Sequence, residues 1–171
     1  IVTDRQLVDS CVAVAIPGFG NADRVAEDKD RDLALLRIYG ARGLKPLNLA
    51  GGGAAAVDVI GISDPQNQGG GNAVSAVKAS VSGADLTPAP AVGFSGGAAI
   101  GSDGKFAGLA QLKPVVVAGP ANSAAAALVP ADAIRDFLKA NGVNASGSSS
   151  DAKAAVVRVM RAEVAAFNLP A

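Results

Sequence analysis

Gly93-Phe94-Ser95-Gly96-Gly97 is the segment around which this 171-residue chain has to be read. A serine set between glycines can present its hydroxyl on a sharply folded loop. The backbone N–H groups of Gly93 and Ser95 can then serve as donors to a developing oxyanion. Glycines allow such a path without a Cβ clash, and Gly96 and Gly97 would let another backbone approach closely. A serine hydroxyl is nevertheless a poor nucleophile until a neighbouring base takes its proton. The usual base is missing, because the chain contains no histidine. The same letters also satisfy Gly-x-Ser-x-Gly, a motif that requires a strand before it and a helix after it. Here Pro88 and Pro90 precede the serine, which weighs against that reading. Ala98–Ile100, the turn Gly101-Ser102-Asp103-Gly104 and Lys105–Leu112 then read as a β-hairpin. Taken alone, the pentapeptide is as consistent with a plain Gly/Ser turn.

Outward from this loop the chain is punctuated like an all-β domain. Half of it is apolar, yet there are only five Phe, one Tyr and no Trp, so the core is built from Val, Leu, Ile and Ala. The 21 Gly and 9 Pro fall in clusters that separate short strand-like runs. Strands are expected over Ile1–Thr3, Leu7–Ile16, Leu33–Tyr39, Val57–Ile62, Ala73–Val81, Val115–Ala118 and Ala127–Val129. Residues 25–32 read as a connection, and 66–72 as a flexible polar loop. One helix is expected over Ala131–Ala140. Pro130 opens it, Ile134, Phe137 and Leu138 share a face, and Asn141-Gly142 stops it.

Composition also excludes function classes. Fifteen acidic and fifteen basic residues cancel, and no basic stripe accompanies stacking aromatics, so nucleic acid is not an expected partner. Cys11, the one cysteine, reads as a small apolar residue among valines. With one Cys and no His, no metal or other cofactor is expected. No apolar run is long enough to suggest a membrane span.

A second motif gives the serine its context. Asp28-Lys29-Asp30-Arg31-Asp32-Leu33-Ala34-Leu35-Leu36-Arg37-Ile38 resembles the strand of trypsin-like serine proteases of the HtrA/DegP type that follows their aspartate. Ile1-Val2-Thr3-Asp4-Arg5-Gln6-Leu7-Val8 is similar to the segment that carries the histidine in that family. The hairpin after Ser95, and Leu128-Val129-Pro130 with the helix beyond, follow in the same order. The resemblance covers about residues 1–140. It implies an all-β fold of two antiparallel β-barrels of the trypsin-like type with a C-terminal helix. It implies Ser95 as nucleophile, Asp32 as orienting carboxylate, and Gly93 and Ser95 as oxyanion-hole donors. Gln6 falls where the histidine is expected. An amide is not a general base near neutral pH, although it can hydrogen-bond on both sides. Phe94 stands where the family has a polar or acidic residue, so activation by pairing of a new N-terminal amine is rejected.

The family's first strands have no counterpart before Ile1. A sheet dislikes an open edge, and Ala152–Val159 resembles the family's opening strand. After a Ser/Gly linker at 141–150, the segment 151–171 is therefore read as a strand filling that edge or pairing with another copy. A helix capped by Asp151 is equally open. The resulting expectation is a protease homologue with impaired catalysis that binds peptide or protein at its former active site. The alternatives are an active serine endopeptidase with its base supplied otherwise, for example by Lys78, Lys105 or Lys113, and a structural or oligomerisation module. The resemblance implies a bacterial periplasmic or secreted protein. Asp28-x-Asp30-x-Asp32 lacks the remaining calcium-loop residues and reads as a solvated acidic turn.

Overall fold

The computed structural model describes residues 1–63, 73–113, 125–145 and 147–162. The strand expected at 115–118 and the loop at 66–72 lie outside these residues. The chain divides into two units, Ile1–Gly43 with the chain from Arg158 onward, and Leu44–Val157.

The first unit begins with strands β1 (Val2–Asp4), β2 (Ala13–Ile16), β3 (Gly20–Asp28) and β4 (Leu33–Arg37). Leu33 to Leu36 are all buried, so β4 is apolar on both faces. It lies between β1, in register Val2↔Leu35, and β3, in register Asp28↔Leu33. Two expectations need correction. Leu7–Ile16 is not one strand. The Asp4 carboxylate accepts a 3.0 Å hydrogen bond from the Gln6 N–H and starts a 3₁₀ turn over Arg5–Leu7. Ser10 then takes a left-handed conformation, and extended structure resumes only at Ala13. Residues 25–32 are not simply a connection, because β3 runs through Asp28. Only Ala22 of β3 is buried, and the register shifts between Arg24 and Ala26. The strand therefore carries no apolar alternation, and its two neighbours hold it through backbone pairing.

The second unit contains β5 (Ala56–Ile62), β6 (Val74–Ser82), β7 (Asp85–Thr87), β8 (Ala98–Gly101), β9 (Phe106–Lys113) and β10 (Ala125–Pro130). They form a closed antiparallel barrel in the order β10-β7-β6-β5-β8-β9. Its core is Val57, Val59, Leu86, Phe94 and Leu128 packed with five alanines. Helix α1 (Ala131–Ala140) starts directly at the end of β10, as the sequence indicates, and buries Ala131, Ile134, Phe137 and Leu138. Its Arg135 Nη1 donates to the carbonyls of Leu49 at 2.7 Å and Gly51 at 3.0 Å, tying the segment before β5 to the helix. The 141–150 segment is not free chain throughout. Asn48 N donates to the Ser149 carbonyl and Ser149 N to the Pro46 carbonyl, forming a parallel bridge.

Asp151 caps a one-turn helix α2 (Ala152–Ala155) by accepting from Ala154 N. Val156-Val157-Arg158-Val159 does not extend it, because β-branched side chains crowd the preceding turn. Strand β11 (Met160–Ala162) follows and pairs antiparallel with β2, in register Met160↔Ala15. The tail thus contains a helical turn and a strand. It adds an edge strand just beyond the Ala152–Val159 stretch singled out above. The first sheet has the order β1-β4-β3-β2-β11 and is open, a half-barrel rather than a closed barrel. The fold is mostly β, with one closed barrel, one half-barrel sheet and a helix following the barrel.

Candidate active-site residues

Ser95 and Gly93 belong to the second unit. The approach from β7 ends in a 3₁₀ turn over Val92–Phe94. Phe94 N donates to the Ala91 carbonyl at 3.0 Å, and Ser95 N to the Val92 carbonyl at 3.2 Å. The Phe94 side chain is buried in the barrel core. This explains the glycine inside β5: a Cβ on Gly61 would lie 2.6 Å from Phe94 Cα and as near to its ring. On the other side the loop is joined to β9. Gly96 N donates to the Ala110 carbonyl at 2.7 Å, and Ala110 N to the Gly97 carbonyl at 2.9 Å. A Cβ on Gly97 would collide with the Ile60 carbonyl oxygen. Gly97 therefore serves the packing of this loop on β5, where the sequence suggests room for another backbone. Phe94 is the anchor of the serine loop, which accounts for an aromatic at a position where the resembling family is polar.

The half-buried Ser95 hydroxyl accepts a 3.2 Å hydrogen bond from Leu112 N. This bond orients the hydroxyl oxygen, whereas nucleophilic attack also requires a base to take the proton. An oxyanion donor must aim at the position the substrate oxygen will occupy. The Ser95 N–H is instead turned onto Val92, and Gly93 lies inside the same 3₁₀ turn.

Asp32 and Gln6 belong to the first unit. Asp32 sits at φ +53°, a left-handed conformation that Asp tolerates better than most residues. Its carbonyl accepts from Arg5 N at 2.7 Å. Its Oδ1 accepts from both Arg5 Nε at 3.2 Å and Arg5 Nη2 at 3.0 Å. The hydrogen bond to Asp32 raises the Arg5 pKa above its ordinary value, so the guanidinium stays charged at any accessible pH. Arg5 Nη1 also reaches Asp9 at 3.5 Å, and Arg24 pairs with Asp9 at 3.8 Å. Gln6 is an exposed residue in the same turn. The structure thus brings residue 32 and the turn carrying residue 6 together. The partner the sequence reading missed is Arg5. An arginine directly beside the position expected for a histidine is the signal that could have found it.

The acidic turn holds its own backbone. Asp28 Oδ1 accepts from Asp30 N at 3.0 Å and Arg31 N at 3.1 Å. Among the described residues no group of three metal-ligating side chains comes together. Lys78 pairs with Asp58 at 3.3 Å on the surface, its side chain 90% exposed, and Lys105 and Lys113 are also exposed. Among the described residues no helix is long and apolar enough to cross a membrane.

The chain is similar to the MamO protease domain from Magnetospirillum magneticum in its apo form. The TM-score is 0.61 at 20% identity, over 80% of this chain and 81% of that one. It is also similar to the serine endoprotease from Yersinia pestis, with a TM-score of 0.55 at 21% identity over 81% of this chain. It spans 52% of the Yersinia chain. No family model and no curated protein matches the sequence. Identity this low establishes the fold alone: this is a protein with the trypsin-like serine protease fold.

Proposed function

We propose that this protein is a catalytically impaired serine protease homologue that binds an extended peptide or protein segment at the surface built around the Ser95 loop. Ser95 holds the nucleophile position, with Gly93 and Ser95 as the oxyanion-side groups. Asp32 holds the position of the orienting carboxylate, and Gln6 that of the absent base. The observation that carries the reading is a serine loop tied into its barrel by Phe94, Gly96 and Leu112, in a chain with no histidine. A loop so anchored keeps a shaped surface around Ser95, and the chain has no imidazole to take the serine proton. In comparable enzymes the loss of one triad member lowers the rate by several orders of magnitude.

A fluorophosphonate probe and a library of extended peptides test this. Labelling should be no stronger than in Ser95→Ala, and bound peptides should be recovered uncut. Strong labelling lost in Ser95→Ala would instead make the protein an active endopeptidase with another base. A structural role is the second reading, favoured by the tail strand β11 on β2. It would be supported by failure of every peptide to bind together with a change of oligomeric state on removal of the tail.

A further inference from the structure

The replacement of the base by Gln6 explains a missing proton acceptor, but not why the neighbouring residue grips Asp32. We propose that Arg5 is the lock of the disabled site: its guanidinium engages the Asp32 carboxylate, so that a base restored at position 6 would still go unoriented. The inference rests on the assignment of Asp32 and Gln6 made above, and it makes Arg5 a positioning residue.

The geometry is specific. Two guanidinium nitrogens, Nε and Nη2, donate to the same carboxylate oxygen of Asp32. The Arg5 backbone N–H donates to the Asp32 carbonyl, so side chain and main chain fix the same pair. The third nitrogen, Nη1, is held by Asp9, which Arg24 engages from β3. The Arg5 side chain is only 19% exposed, so the grip is partly shielded from water.

In a serine triad the aspartate does two things: it orients the imidazole, and it stabilises the imidazolium that forms when the serine proton is taken. A permanent cation on Asp32 opposes both. It competes for a carboxylate oxygen, and it places a like charge beside the developing imidazolium, which disfavours protonation. Asp32 is thereby converted from an orienter of a base into an anchor for the turn at residues 5–7.

The test uses the whole chain with Gln6→His, alone and combined with Arg5→Gln. Proton NMR reads the introduced imidazole directly, through its titration midpoint and through the strongly deshielded Nδ1–H that marks an imidazole donating to a carboxylate. Other charges bear on that ring: Asp4 beneath the turn, Asp9, and Arg24 and Glu27 on β3. They are common to both variants, so the comparison isolates Arg5. Gln6→His alone should show no deshielded proton. Adding Arg5→Gln should bring out the deshielded proton and raise the midpoint by at least about one pH unit. Arg5→Lys, which keeps the charge but cannot make the two-pronged contact, guards against misfolding of the neutral variant. It should show the deshielded proton more weakly. A deshielded proton with Arg5 intact, or none in either folded Arg5 variant, would overturn the proposal. Neither readout involves Ser95 or a bound peptide, so failure of the peptide-binding reading would leave this result standing, and the reverse.

Discussion

Phe94 and Gly61 show how the serine loop is held at the level of single residues. The ring occupies space that only a residue without a Cβ leaves open on β5. Gly61→Ala forces either the ring or its backbone outward, and overpacking of this kind costs about 1–3 kcal/mol. Denaturant unfolding should show that loss, and the Ser95 and Leu112 amide shifts should move with it, because Ser95 lies on the loop and Leu112 of β9 donates to its hydroxyl. An unchanged midpoint and spectrum would mean that Phe94 does not anchor the loop. Phe94→Ala removes the anchor from the other side and should cost about 3–5 kcal/mol. Gln6 and Asp32 stand differently. Each was singled out from the sequence, but the Asp32 carboxylate is held by Arg5, whose part was not visible until the turn folded.

Among the elements, β11 and α1 each complete something the local sequence leaves unfinished. Strand β11 pairs with the outer side of β2 through three residues, and covers backbone groups that would otherwise form an open edge. Removing residues 158–171 re-exposes that edge. The truncated chain should melt earlier or self-associate, as read by calorimetry and by sedimentation. No change in either would show that the pairing contributes nothing. Helix α1 ties the segment before β5 through Arg135. Arg135→Met keeps the aliphatic stem and deletes both hydrogen bonds from a charged donor, a loss of about 2 kcal/mol. The amides around Leu49 and Gly51 should exchange faster in that variant. Protection equal to that of the unmodified chain would argue against the tie.

On the scale of the whole molecule, the closed barrel and the half-barrel sheet make different demands. A closed barrel leaves no edge to satisfy, and α1 covers its own apolar face within the same unit. A fragment spanning residues 44–157 should therefore fold cooperatively by itself, with a dispersed amide spectrum; a collapsed spectrum and a broad melt would contradict this. What the sequence could show was local. The period of α1, the hairpin after Ser95 and the two-faced apolar run of β4 were readable, because each is encoded by neighbours a few residues apart. The serine between glycines and the missing histidine were readable for the same reason. Strand β3 was not, since a strand that buries one alanine has no pattern to read. The Asp32–Arg5 grip joins residues 27 apart, the ring of Phe94 meets a glycine in another strand, and the tail returns to β2 from the far end of the chain. Such contacts arise only when distant segments are brought into register. Amino-acid order alone therefore determined which chemical groups the protein carries and much of its local structure. Tertiary structure decided what those groups hold, because hydrogen bonds and packing depend on neighbours in space.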